Sequence, residues 1–171
     1  SQGNSGVGTP SHVSGLLFQK AIGAKYTMVP YRGAGQSMQD LVAGQLDVML
    51  DTPAVSMPQI QGGNIKVYAV TAPSRTKVLP NIPTTDEAGL PGFYFTFWHA
   101  FWVPKGTPKE IVAKLNQALV KALSAPDTRE KLEKIAQEIF PANQLTPEAL
   151  ATYHKAEIDK WWPIIKEAGI K

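Results

Sequence analysis

Residues 26–53, YTMVPYRGAGQSMQDLVAGQLDVMLDTP, decide the fold class. Tyr26 to Tyr31 is a short run rich in β-branched and aromatic residues, which predicts a strand. Ser37 with Asp40 three residues on gives a helix-start signal, Leu41 and Val42 supply the inward face, and Gly44 a stop. Leu46 to Leu50 predicts a second strand, and Thr52-Pro53 opens another helix with proline at its first position. The same alternation continues outward. Gly62-Gly63 closes the helix begun at Pro53, and Ile65 to Thr71 predicts a third strand. On the other side, Thr9-Pro10 starts a helix through Leu16, Leu17 and Phe18 to Gly23. Helix, strand, helix, strand, helix, strand is the rhythm of a parallel or mixed α/β sheet flanked by helices.

Beyond this region the composition changes. Twelve of the fourteen glycines lie between Gly3 and Gly92. Pro73, Pro80, Pro83, Pro91 and Gly92 mark a connector, with a turn of helix expected over Thr84 to Ala88. Phe93 to Val103 holds seven aromatic residues and reads as a buried strand. Thr107-Pro108-Lys109-Glu110 has the form of a capping box, followed by Ile111, Val112, Leu115, Ala118, Leu119 and Ala122 at helical spacing. Pro126-Asp127 starts a shorter helix and Thr146-Pro147 a long one, in which Pro163 predicts a kink.

A chain of 171 residues buries roughly 70% of its unfolded surface, enough for a core without staples. With no cysteine, disulfides, thiolate metal sites and Cys nucleophiles are excluded. The net charge of +3 is spread out: residues 1–104 carry six basic and five acidic side chains, residues 105–171 eleven and nine. That is not the basic stripe of a nucleic-acid binder. No apolar run approaches the ~20 residues of a membrane span. No leader pattern lies within these residues, and the glycine-rich beginning at Ser1 reads as a processed or truncated start.

Three features could carry chemistry. Ser5-Gly6-Val7-Gly8-Thr9-Pro10-Ser11-His12 is a glycine turn leading into a helix start. Small residues admit a ligand close to the backbone, and unpaired N–H groups at a helix start favour an anion. It lacks the Gly-Lys-Ser/Thr of a P-loop and the acidic residue about 20 positions on of a dinucleotide site, and an ordinary tight turn fits it too. Tyr31 and Arg32 follow a strand, where open α/β sheets bind ligands, although a solvated arginine on a turn is the plainer alternative. Asp51 ends the next strand and either faces the same edge or caps the helix behind it. No catalytic set emerges. His12, His99 and His154 have no metal-ligand spacing, and no nucleophile elbow occurs, so no metal, cofactor or catalytic residue is expected. His154, among Lys and Glu, reads as solvated, whereas Trp98 or His99 could line a cleft.

Taken in order, these motifs resemble one family. They are the Ser5–His12 loop, Val29-Pro30-Tyr31-Arg32-Gly33, Asp47-Val48-Met49-Leu50-Asp51, Ala69-Val70-Thr71-Ala72-Pro73-Ser74-Arg75, the Pro80–Phe93 segment and Pro104-Lys105-Gly106-Thr107-Pro108-Lys109. Together they are similar to the tripartite tricarboxylate transporter receptors, the TctC-like or Bug solute-binding proteins. The resemblance implies a type II periplasmic-binding-protein-like lobe with a C-terminal helical tail, part of a two-lobed Venus flytrap. It implies a non-enzymatic periplasmic receptor that captures a small organic carboxylate and passes it to membrane permease subunits. It further implies ligand contacts at Ser5, Gly6, Gly8, Thr9, Ser11 and His12, with Asp51 facing the cleft. The alternative is a small enzyme or regulatory module that binds a phosphate or acyl anion on the same loop. By comparison with the family, residues 1–92 are expected to form the second ligand-binding lobe with its crossover. Residues 93–171 are expected to be the strand and helices of a first lobe whose remainder is missing. That arrangement would expose Phe101, Trp102, Leu115, Leu119 and Trp161 and favour a homodimer.

Overall fold

The computed structural model describes residues 1–167 and 169. The chain forms two compact units, residues 1–97 and 98–167, and the end of the expected 93–171 segment (168, 170 and 171) lies outside the described residues.

The first unit is built on three parallel strands, β1 (Gln2–Asn4), β2 (Met28–Pro30) and β3 (Val48–Met49), in the order β2-β1-β3. Gln2, Gly3 and Asn4 pair with Met28, Val29 and Pro30 on one side. Gln2 and Gly3 pair with Val48 and Met49 on the other. Each strand runs into a helix: α1 (Pro10–Ile22), α2 (Ala34–Val42) and α3 (Pro53–Gln61). The helices at Pro10 and Pro53 begin where the sequence placed them, because proline's fixed φ and missing N–H suit a first helical position.

Glycines set the distances between layers. A Cβ on Gly3 would lie 2.1 Å from Ser37 Oγ of α2, and one on Gly15 of α1 only 2.2 Å from Gln2 Nε2. Successive residues of a strand face opposite ways. Gln2 and Asn4 therefore face α1, Gly3 faces α2, and the two helices cover opposite faces of the sheet. The core combines Val13, Met38, Leu46, Met57 and Phe95 with fully enclosed polar residues, among them Gln2, Ser14 and Ser37. Tyr26 donates to Gln2 Oε1 at 2.6 Å, which partly satisfies that buried amide.

Several expectations need correction. The central strand is β1, in the glycine-rich beginning for which the sequence predicts no strand. Ser37 caps nothing; α2 begins after Gly33, and the Ser37 hydroxyl is buried, donating to Met49 Sδ at 3.3 Å. Ile65–Thr71 makes only one isolated bridge, Val70 with Thr84. The prolines around that segment leave it no continuous neighbour, and strand propensity without a partner makes no ladder. The Phe93–Val103 run likewise forms no strand. The Phe95 amide donates to the Thr71 carbonyl at 3.1 Å and the Thr71 hydroxyl to the Phe95 carbonyl at 2.6 Å, yet Phe101 and Trp102 are 77% and 60% exposed. Thr84 and Glu87 do form a reciprocal capping pair, Thr84 N to Glu87 Oε2 (2.8 Å) and Glu87 N to Thr84 Oγ1 (3.2 Å), around a turn rather than a helix.

The second unit holds α4 (Lys109–Ser124), α5 (Pro126–Lys134), a 3-10 turn at Ala142–Gln144 and α6 (Pro147–Glu167), which continues through Pro163. Thr107 forms no capping box, since its hydroxyl donates to the Pro104 carbonyl instead. Trp98 and Trp161 both donate their indole N–H to Glu157 Oε2, at 3.1 and 2.9 Å. His154 is not simply solvated: it is half-buried, with the Trp102 ring 4.7 Å away. His99 is exposed. Of the residues expected to be uncovered, Leu115 is exposed, while Leu119 and Trp161 are half-buried.

Candidate ligand-binding site

The parallel sheet gathers all three sequence features at one edge. Asn4 pairs with Pro30, so one step further Tyr31 comes level with Ser5, and the Tyr31 amide donates to the Asn4 carbonyl at 3.0 Å. Gly3 pairs with Met49, so continuing that register brings Asp51 level with Ser5 on the other side. Helices α1, α2 and α3 all begin at this carboxyl edge. Strand order reverses at β1, where open α/β sheets leave their binding crevice.

Between β1 and α1 the chain turns on Gly6 (φ +130°) and Gly8 (φ +78°), conformations costly for any residue with a Cβ. The turn is tied by its own small polar groups. The Gly6 amide donates to Asn4 Oδ1 (3.0 Å), and Thr9 Oγ1 donates to the Gly6 carbonyl (2.6 Å). The Ser5 amide donates to Ser11 Oγ (2.9 Å), whose oxygen also lies 2.7 Å from Ser5 Oγ and 3.2 Å from Thr9 Oγ1. His12 Nδ1 accepts from the Gly8 amide at 3.2 Å, so the neutral ring carries its proton on Nε2. Burial holds the His12 pKa below its ordinary value, which favours that neutral form.

Thr9 is the residue before α1, yet its side chain caps no amide, and the first turn contains no acidic residue. The first-turn amides, those of Ser11 and His12 among them, therefore lack an intrahelical acceptor and a side-chain substitute. Their dipoles favour a negative charge there.

The flanking features differ in character. The Tyr31 hydroxyl is committed to Asp40 Oδ2 at 2.7 Å, and that hydrogen bond raises the phenol's pKa. Its backbone, rather than its hydroxyl, adjoins the loop, with the Tyr31 carbonyl 3.4 Å from where a Gly6 Cβ would stand. Arg32 is exposed beside it. Asp51 is half-buried: Oδ1 accepts from the Thr52 amide at 2.7 Å, while Oδ2 is enclosed without a hydrogen bond. Sequence reasoning missed Asn4 and the Tyr31–Asp40 bond. No spacing pattern distinguishes a buried asparagine after Gln2-Gly3 from a loop residue. Among the described residues no group of three His, Cys, Asp or Glu side chains could hold a metal ion, and no helix is long and apolar enough to cross a membrane.

Burial raises the Asp51 pKa, and the Thr52 hydrogen bond only partly opposes it. The folded protein therefore holds this proton more tightly than the unfolded chain does. The stability so gained is complete below the unfolded value of about 3.9 and is lost as pH rises through the folded value. Asp51→Asn escapes that loss, so the variant is expected to melt above wild type at pH 7, with the margin shrinking on acidification through pH 4. A margin constant between pH 7 and pH 3 in calorimetry would show that Asp51 titrates as it does in the unfolded chain.

A small parallel sheet with helices on both faces, and an uncapped helix start beside small hydroxyl residues at its carboxyl edge, defines an α/β unit of the open-sheet kind. Residues 1–170 match the family described as "Tripartite tricarboxylate transporter family receptor", and the chain belongs to that family. A UPF0065 protein from the TAR-I ttuE-ttuC' intergenic region of Agrobacterium vitis is 40% identical over 98% of this chain and 48% of its own length. The chain thus spans about half the length of that relative. Among solved structures, the periplasmic binding protein BugD superposes with a TM-score of 0.92 at 37% identity, covering 99% of this chain and 56% of BugD. MatC from Rhodopseudomonas palustris with bound malate superposes with a TM-score of 0.91 at 36% identity, covering 96% of this chain and 56% of MatC.

Proposed function

We propose that this chain is the ligand-binding part of a periplasmic receptor that captures a small organic carboxylate for a tripartite transporter and performs no chemistry on it. The observation that carries the reading is the uncapped start of α1, ringed by the hydroxyls of Ser5, Thr9 and Ser11. A carboxylate placed there receives charge-assisted hydrogen bonds and needs no general base. Ser5, Gly6, Gly8, Thr9, Ser11 and His12 form the gripping loop, with Tyr31, Arg32 and Asp51 flanking it. The malate bound by MatC and the periplasmic description of BugD support the ligand class and the compartment. The enzyme or regulatory alternative is not favoured. His12 Nδ1 accepts from a backbone amide rather than from a hydroxyl it could activate.

The downstream partners in this reading are the permease subunits of the transporter. Isothermal titration with malate is the test: saturable binding is expected, and no heat at millimolar malate would refute the carboxylate reading. The proposal includes self-association through the exposed Phe101 and Trp102 of the second unit. Light scattering checks it, and a clean monomer at high concentration removes that part.

A further inference from the structure

Asn4, at the end of the central strand, is enclosed completely, with no exposed surface. It faces α1, as Gln2 does, by the alternation of the strand. Its groups reach both loops of the edge. The Asn4 carbonyl accepts from the Tyr31 amide, and Oδ1 accepts from the Gly6 amide, each at 3.0 Å. Gly6 in turn presents its carbonyl to Thr9, accepting from the hydroxyl at 2.6 Å and from the amide at 3.2 Å. The orientation of Thr9, and through it the links to Ser5 and Ser11, therefore depends on the bond between Asn4 and Gly6. The other end of the same amide behaves differently: Nδ2 is buried and makes no hydrogen bond.

A buried donor without an acceptor opposes folding, so its presence in a native structure calls for a reason. This one lies at the strand end where the first-turn amides of α1 also lack acceptors. We propose that Asn4 is a positioning residue of the carboxylate site. Oδ1 locks the Gly6 turn that orients Thr9, while Nδ2 adds a fixed partial positive charge on the α1 side of the sheet, felt by the anion through space. The inference rests on the carboxylate reading and adds to it a residue that never touches the ligand. An aspartate is nearly isosteric here: it keeps the acceptor for Gly6, and its malate affinity is read across pH, because burial favours the neutral acid and the like charge acts only once the carboxyl ionises.

Malate titration of the full chain, with amide NMR of Gly6 and Thr9, compares wild type with Asn4→Asp and Asn4→Ala. For the ionised Asn4→Asp variant the expected result is about 100-fold weaker binding, the effect of one uncompensated like charge at the strand end behind the site. The Gly6 and Thr9 resonances should stay close to their wild-type positions. Asn4→Ala should move both resonances and weaken binding as well. Asn4→Asp that binds malate within about threefold of wild type at every pH overturns the electrostatic role. Unmoved resonances in Asn4→Ala overturn the positioning role. If Asn4→Asp fails to unfold cooperatively, Asn4→Ala decides alone, and wild-type affinity in it overturns the inference. Wild type that binds no malate overturns the carboxylate reading itself and this inference with it, an outcome distinct from the others.

Discussion

Gly3→Val is expected to destabilise the first unit by about 3 kcal/mol and to lower its melting temperature by roughly 12–24 °C. The Cβ alone would lie 2.1 Å from Ser37 Oγ and 2.4 Å from Leu46 Cδ1, before either valine methyl is placed. Neither neighbour has room to yield. Ser37 is fully buried mid-helix and Leu46 is part of the core. Gly3 cannot retreat either, since its strand is paired with β2 and β3 on both sides. Relief therefore requires α2 to lift off the sheet, which uncovers Met38 and separates Ser37 from Met49. All four tryptophans lie in residues 98–167, so indole fluorescence reports the second unit. Far-UV circular dichroism and hydrogen exchange at the β1 and β2 amides are the measurements that follow the first. A melting temperature within about 2 °C of wild type would show that α2 accommodates the side chain at little cost.

Gly3 also shows why part of this fold is legible in the sequence and part is not. Helix starts are local events. Proline at the first helical position marks Pro10, Pro53, Pro126 and Pro147, and all four open helices in the structure. Strands are defined by their neighbours. Gln2-Gly3-Asn4 lacks every propensity signal for a strand, yet it is central because two other strands pair with it and two helices press on its opposite faces. Ile65–Thr71 has the composition of a strand and obtains a single bridge. The aromatic run from Phe93 fails similarly: Phe93 packs on Phe18 of α1 at 5.7 Å and Phe95 is buried, whereas Phe101 and Trp102 remain exposed.

The candidate site divides along the same line. The Ser5–His12 loop is visible because glycine, threonine and proline in that order announce a turn and a helix start. The convergence of Tyr31 and Asp51 on that loop follows only from the parallel register. Tyr31 shows the limit of reading residue types alone, since its hydroxyl is taken by Asp40 nine positions away. Ser37 is the converse case, a residue with the chemistry of a cap that serves as a small polar filler beneath Gly3.

Thr9→Val is expected to weaken malate binding about 10- to 100-fold, corresponding to the loss of one hydrogen-bonding group that supports an anion, while lowering the melting temperature by only about 2–4 °C. The asymmetry follows from the geometry of the hydroxyl. A threonine preceding a helix ordinarily caps a first-turn amide, and replacing it costs about 1 kcal/mol of stability. Thr9 caps none; its proton goes to the Gly6 carbonyl at 2.6 Å, and its oxygen lies within 3.3 Å of Ser5 Oγ and 3.2 Å of Ser11 Oγ. Valine keeps the β-branched shape and the backbone conformation but removes that junction. The Gly6 carbonyl then keeps only the backbone amide of position 9 at 3.2 Å, and Ser5 and Ser11 each lose a partner while keeping their own 2.7 Å contact. Helix α1 loses nothing it had. The ring of three hydroxyls, however, is reduced to the Ser5–Ser11 pair at the uncapped amides where a carboxylate would sit, so most of the cost falls on binding. Titration calorimetry and a thermal melt on the same variant separate the two roles. A fall in melting temperature of the size expected for a lost cap, with malate affinity intact, would make Thr9 an ordinary helix-start residue and leave the anion to other groups.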